Sequence, residues 1–331
     1  VEMSTAPKII AYYGSWSAYR EGAGKFEVEN IDPSLCTHVI YAFAGLDGEA
    51  SKIKVLDPWN DLPDDGGKNG YGRFTGLKKL NPSLCTMLAI GGWNEGSTTY
   101  SKMAADPSRR KIFIESVIQL LRQYNFDGLD LDWEYPANRG GIPADKGNFI
   151  LLVKELKQAF KQHNFILSAA VGMGPSTVKS AYDVPALGEY LDFINLMTYD
   201  FHGPWENHTA HHTPLHCQPQ ETGDEALLNL ESSVATWLDQ GVPAHKLILG
   251  HASYGKTYTI DRLGGKGLCV PAKGPGSPGI YTKEPGILAY YEILSQTKNW
   301  DKHTDDCSGA PWTSKEDQWI CYDNEESLKK K

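Results

Sequence analysis

Apolar positions along the chain fall into two kinds of run. Segments 8–13, 37–43, 86–90, 128–133, 166–171, 193–198 and 247–250 are short and read as strands. Most are continuous apolar runs without alternation, the pattern of parallel strands buried on both faces. Between several of them the period lengthens to that of a helix. Asp106-Pro107 offers a cap and a first-turn proline, and Ile112, Phe113, Val117, Leu120, Leu121 and Tyr124 form the stripe that follows. Asp145 is expected to cap the next helix, with Phe149, Leu152, Val153, Leu156 and Phe160 on its inner face. Segment 224–240 is a third helix, with Trp237 facing the core. Strand-then-helix order predicts an α/β fold, and a (β/α) barrel ahead of an open doubly wound sheet. No GxGxxG or GxxxxGK[ST] follows the first strand, which weakens a nucleotide-binding reading.

The rhythm breaks from about residue 256. Segment 264–279 is rich in Gly and Pro, 285–297 reads as helix, and 318–322 as strand. The expected division is a barrel region over 1–255, an inserted α+β subdomain over 256–322, and a return toward the barrel over 323–331. No internal repeat is visible.

At 331 residues the chain can bury a sizeable core, and 40% hydrophobic content excludes a disordered class. A net charge of −9 without a basic stripe argues against nucleic acid. No apolar run approaches the roughly 18 residues of a membrane span. Residues 1–8 lack the charged and apolar regions of a signal peptide and read as a mature or excised terminus. Cys36, Cys85, Cys217, Cys269, Cys307 and Cys321 show no paired CxxC spacing, so a zinc framework is not expected. His208, His211, His212 and His216 crowd one loop, but without a positioned carboxylate they read as polar surface. Asn207-His208-Thr209 is a glycosylation sequon.

The most informative stretch is Asp127-Gly128-Leu129-Asp130-Leu131-Asp132-Trp133-Glu134-Tyr135. On a strand, Asp130, Asp132 and Glu134 share one face, while Leu129, Leu131 and Trp133 share the other. In a barrel the apolar set packs on the helices. The acids enter the interior, and Glu134 emerges at the C-terminal mouth. Same-face neighbours lie roughly 6–7 Å apart. Carboxyls that close in a low dielectric cannot all ionise, so a raised pKa is expected. A carboxyl protonated near neutral pH is what glycosidic cleavage needs as its general acid. A calcium site fits poorly, because alternation lines the acids up instead of wrapping them round an ion. No metal and no cofactor are expected. Nine Trp and 17 Tyr are compatible with sugar stacking, since a sugar face is apolar C–H surface.

These residues resemble the signature of glycoside hydrolase family 18, the chitinases and chitinase-like proteins. Its DxxDxDxE pattern is matched by Asp127, Asp130, Asp132 and Glu134. Tyr41-Ala42-Phe43-Ala44-Gly45, Ala89-Ile90-Gly91-Gly92-Trp93-Asn94, Met197-Thr198-Tyr199-Asp200 and Tyr254-Gly255 resemble further family motifs in the right order. The likeness runs from about residue 8 to 322 and looks nearest to animal, arthropod chitinases. It implies a (β/α)8 TIM barrel with a small inserted α+β domain, and an eighth strand missing from this chain. It also implies retaining, substrate-assisted, endo-acting hydrolysis of β-1,4-linked N-acetylglucosamine. The catalytic roles it carries over fall on Glu134 as proton donor, Asp132, Asp130, Tyr199 and Asp127. The substrate-contacting set is Tyr12, Trp16, Phe43, Trp59, Gly91, Gly92, Trp93, Asn94, Tyr135, Met197, Thr198, Asp200, Trp205 and Tyr254. Chitin or its oligosaccharides are the implied partners of a secreted monomer.

The chain departs from the family pattern in places. Ala11 stands where a cysteine often bridges to the one matched by Cys36, and the cysteine expected near Leu294 to partner Cys307 is absent. Tyr254-Gly255-Lys256 replaces Tyr-Gly-Arg, so the planar fork of Arg is lost. The alternatives to a chitinase are a non-hydrolysing chitin-binding lectin or growth-factor-like relative, and an endo-N-acetylglucosaminidase. Glu134, the acid that non-catalytic relatives lose, is present, so the enzyme reading leads.

Overall fold

A computed structural model describes residues 7–261 and 265–331. Eight strands form the first sheet: β1 (Ile10–Gly14), β2 (His38–Asp47), β3 (Lys52–Val55), β4 (Cys85–Gly91), β5 (Gly128–Asp132), β6 (Ile166–Gly172), β7 (Phe193–Met197) and β8 (Leu247–Leu249). Seven are parallel, in the order β1-β2-β4-β5-β6-β7-β8, and curl as in a TIM barrel. Among the described residues β1 and β8 are its two edges. Each expected strand is present within one or two residues, except that β2 runs on to Asp47. There it folds back as a hairpin with β3. The Asp47 carboxylate closes that turn by accepting from Glu49 and Ala50 N–H.

Three helix readings need correction. In Pro107–Gln123 the buried stripe is Arg110, Phe113, Ile114, Val117 and Leu121, whereas Ile112 faces solvent. Arg110 can lie there because its guanidinium reaches Glu155 at 2.8 and 2.9 Å and Ala104 O at 2.7 Å. Asp145 does not cap its helix from outside. It is the first residue of Asp145–Phe160, and its buried carboxylate accepts from Ile142 N, Ala137 N and Ser101 Oγ. That grip fixes the segment leaving β5. The third helix is shorter than 224–240: it spans Leu230–Asp239, and Asn229 Oδ1 caps it by accepting from Ser232 N. Trp237 is fully buried, as expected.

The second sheet is antiparallel and begins at Tyr254, two residues before the expected boundary. Its strands are β9 (Tyr254–Ile260), β10 (Ala272–Pro275), β11 (Ile287–Ala289), β12 (Asp301–Asp305), β13 (Ala310–Lys315) and β14 (Gln318–Cys321). Tyr258, Ile260, Trp312, Trp319 and Cys321 form its small core. The helix expected over 285–297 is β11 followed by Tyr290–Gln296. Segment 323–331 carries the helix Glu325–Lys330, capped by Asn324. Residues 1–6 and Gly264, on which two of the sequence readings partly rest, lie outside the described residues. All six cysteines are free thiols, among them Cys36 and Cys307, whose family partners are absent from the sequence. Among the described residues no helix is long and apolar enough to cross a membrane.

Candidate active site

β5 is paired on both sides, so its alternation is fixed by two neighbours. Ala89 and Ser168 flank Asp130, and Gly91 flanks Asp132. Leu129, Leu131 and Trp133 pack into the helix-facing core, and Asp130, Asp132 and Glu134 are all buried. Asp130 lies deepest. Its carboxylate accepts from Ser168 Oγ at 2.6 Å, Tyr12 OH at 2.7 Å and Asn195 Nδ2 at 3.1 Å. Asp132 has no such support, and its Oδ1 is without a hydrogen-bond partner.

Burial raises all three carboxyls above the usual range. For Asp130 the three donors oppose that rise. For Asp132 the charges of Glu134 and Asp130 add to it, and the group is held well above a normal aspartate. Glu134 is also raised, with Arg139 among the opposing influences. The row therefore retains a proton where three isolated acids would have lost theirs.

The segment carrying Glu134 is held on both flanks. Trp133 Nε1 donates to Ser97 Oγ at 2.9 Å, and Ser97 Oγ donates to Tyr135 O at 2.7 Å. Arg139 Nη1 reaches Glu134 O at 3.1 Å and Trp93 O at 2.8 Å, and its guanidinium lies 3.5 Å from the centre of the Trp93 ring. Gly91 and Gly92 have φ of +118° and +86°, and a Cβ at Gly91 would stand 2.0 Å from Asp132 O. Only glycine lets β4 end this close to β5.

Around the acids lies a cleft of about 520 Å³, lined in part by Tyr12, Trp16, Phe43, Asp132, Met197, Tyr199 and Tyr254. Trp16 stacks on Phe43 at 6.1 Å and 13°. Trp16, Trp59, Trp93 and Trp205 are all more than half exposed, so they are free to meet a flat ligand. Trp59 stacks with Tyr19, with Lys68 Nζ 4.9 Å from the Trp59 ring centre. Trp205 folds over Gly203. Tyr135 packs against Gly172. Thr198 is buried, donating to Gly250 O at 2.7 Å.

Asp200 lies on the β7–β8 loop with φ +58°, beside the cleft-lining Tyr199 and Tyr254. Its Oδ1 takes Tyr254 OH at 2.8 Å and lies 3.2 Å from Lys256 Nζ and 3.4 Å from His212 Nδ1. Burial raises the Asp200 carboxyl, but these partners together hold it below its ordinary value.

Two of the predicted residues stand apart. Asp127 precedes β5 at the opposite end from Glu134, where it binds Lys78 and accepts from Thr86 N and Oγ1. Asn94 is exposed beside Trp93. Reading the chain alone missed Ser168, Asn195, Ser97 and Arg139. The first two carried a signal: each is the one strongly polar residue in a buried apolar run, Ile166–Gly172 and Phe193–Met197. The histidine loop needs correction as well. His211 and His212 are fully buried, not surface. Among the described residues no group of three or more His, Cys, Asp or Glu is arranged to hold a metal ion.

The family profile for Glycosyl hydrolases family 18 matches residues 8–331, and the chain belongs to that family. It is similar to Probable chitinase 2 of Drosophila melanogaster, 43% identical over 90% of this chain. It spans 61% of that relative's length. The solved Group IV chitinase of Ostrinia furnacalis in complex with allosamidin superposes with a TM-score of 0.91 at 40% identity, over 97% of this chain and 87% of that one. Human YKL-39, described as a pseudo-chitinase with retained chitooligosaccharide binding, gives 0.90 at 34%, over 98% and 88%.

Proposed function

We propose that the chain is an endo-acting chitinase, secreted and monomeric, which cleaves β-1,4 linkages between N-acetylglucosamine units. The observation that carries this reading is the buried row Asp130–Asp132–Glu134 beside a cleft that Asp132, Tyr199 and the exposed Trp16 line. The Drosophila and Ostrinia relatives support the substrate class.

In this reading Glu134 protonates the leaving glycosidic oxygen, a role that suits a carboxyl raised by burial. The substrate's own acetamido oxygen attacks the anomeric carbon, and an oxazolinium ion forms. Asp132 holds the acetamido N–H and balances the developing charge. Asp130 exchanges a proton with Asp132, and Tyr199 donates to the acetamido oxygen. No second carboxylate is needed as nucleophile, the substrate-assisted exception to the two-carboxylate scheme. The first sheet and its helices carry the chemistry. Asp127 then serves at a distance, by joining the starts of β4 and β5.

The test is turnover on chitin oligosaccharides beside an N-glycoprotein, with proton NMR of the first product. Cleavage of the oligosaccharides with initial β-anomer is expected. Initial α-anomer would exclude acetamido attack. Binding without turnover would place the chain with the pseudo-chitinases, and cleavage of the glycoprotein alone would make it an endo-N-acetylglucosaminidase.

A further inference from the structure

Three cysteines gather where the β7–β8 loop docks on the second sheet. Leu215 N–H donates to Ser308 O and His216 N–H to Cys307 O, each at 3.0 Å. On the far side of Cys217, Gln218 Nε2 donates to Asp305 Oδ2 at 2.7 Å, and the same oxygen takes Ser308 N–H at 2.6 Å. Cys217 therefore sits between two cross-links to the turn that carries Cys307. Main-chain segments joined by such bonds lie about 5 Å apart, within the Cα spacing of about 4.4–6.8 Å that a disulfide spans. Cys217 is exposed and Cys307 half-buried, so both are open to a soluble oxidant. Burial, then Asp305, then Cys217 itself push the Cys307 thiol up, which puts the two sulfurs in one electrostatic neighbourhood.

Cys269 approaches the same loop differently. Its N–H donates to Thr209 O, eight residues before Cys217, and its Sγ accepts from Gln220 Nε2 at 2.6 Å. No main-chain bond brackets it against Cys217.

We propose that Cys217 and Cys307 form a disulfide that ties the β7–β8 loop to the second sheet, while Cys269 remains a thiol. The oxidant is a small disulfide of the glutathione class. The Cys217 thiolate attacks one glutathione sulfur, the S–S bond breaks, and one glutathione leaves. The Cys307 thiolate then attacks the Cys217 sulfur of the mixed disulfide, and the second glutathione leaves. Two protein thiols are oxidised, one oxidised glutathione is reduced to two thiols, and the two protons pass to those thiols. The loop so tied is the one that carries Tyr199, which lines the cleft, and Asp200 beside it. The bond would restrain that loop in the unfolded chain as well as in the native one.

Trypsin decides the connectivity, because cleavage at Lys179, Lys246, Lys266, Lys273, Lys302 and Lys315 leaves Cys217, Cys269 and Cys307 in separate peptides. The whole chain is reduced, exposed to oxidised glutathione near pH 8, alkylated with iodoacetamide and digested without reductant. The expected products are a peptide pair joined through Cys217 and Cys307, an alkylated Cys269, and a thiol count lowered by two from six. The same pair should form in Cys269→Ser, and the oxidised protein should melt several degrees above the reduced one. A link between Cys217 and Cys269 would overturn the proposal. So would Cys217 and Cys307 that both remain alkylated, or that stop at mixed disulfides with glutathione.

Discussion

The end of β5 and the β7–β8 loop face one cleft and hold their charges by opposite means. On β5 the acids stand in a row with few countercharges, and burial pushes each upward. On the loop, Asp200 is surrounded by Tyr254, Lys256 and His212, and its carboxyl is held down. One region stores a proton; the other maintains a fixed negative charge. A cleft that must both donate a proton and orient a neutral sugar needs both, and a single kind of environment could not supply them.

The sharpest way to break this comparison is Glu134→Gln. The amide keeps the shape and removes the transferable proton, and general acid catalysis is worth about 10²–10⁴-fold. Turnover should fall by that order while oligosaccharide binding persists. A variant that kept most of the parent rate would show that the raised carboxyl does no proton transfer.

Asp200→Asn is expected to do less, and to do it elsewhere. The amide cannot meet Lys256 and Tyr254 as a carboxylate does, and hydrogen bonds to charged groups contribute about 1.5–3 kcal/mol. The loss in kcat/KM should be about tenfold to a hundredfold, mostly in KM. An effect confined to kcat, as large as that of Glu134→Gln, would make the loop acid part of the chemistry and erase the contrast. Tyr12→Phe probes the β5 side more gently. It removes one of three donors to Asp130, whose oxygens keep Ser168 and Asn195. A severalfold fall in turnover is expected, and an unchanged rate would mean that Tyr12 does not help to set the Asp130 proton.

The two regions also differ in how far the chain alone reveals them. The β5 row is legible because strand alternation is a local rule: six residues and one period place three acids inside and three apolar residues outside. Seven parallel strands were legible for another local reason, since most are short continuous apolar runs. The Asp200 site is not local. It joins residues 200, 212, 254 and 256, which meet only when the loop folds onto β9. His211 and His212 look like solvated loop residues until that docking buries them. The second sheet was mostly missed because β12, Asp-Lys-His-Thr-Asp, is an exposed edge, and β10 is built on Gly and Pro. Neither carries the apolar pattern that marks a buried strand.

The smallest expected effect separates the two regions by acid. His211 Nε2 lies 3.2 Å from Tyr322 O and 3.3 Å from Pro311 O, so that nitrogen carries the proton. Its Nδ1 accepts from Thr213 N–H at 3.2 Å and must keep its lone pair. Burial, then Lys331 and His212, hold the imidazole down to about 3, against Asp323 acting the other way. His212 is lowered too, again by burial first. A folded pKa below the unfolded value of about 6.5 means that this stability is whole above that pH and is lost as pH falls; for His211 the loss runs toward pH 3 at about 1.4 kcal/mol per unit. The β5 carboxyls act in the opposite sense: their raised values mean that acid relieves the strain of burying their charge. Acid should therefore undo the docked loop while sparing the β5 row. Between pH 6 and 4.5 the melting temperature should fall by about 2–5 °C per unit, the usual conversion for a chain of this size. His211→Gln, whose amide can donate to one of the same carbonyls without gaining charge, should melt lower at pH 7 and show a flatter slope. Parallel slopes for parent and variant would remove His211 from the acid response and leave Asp323, held low by Lys331 and released by protonation, as the group to examine next.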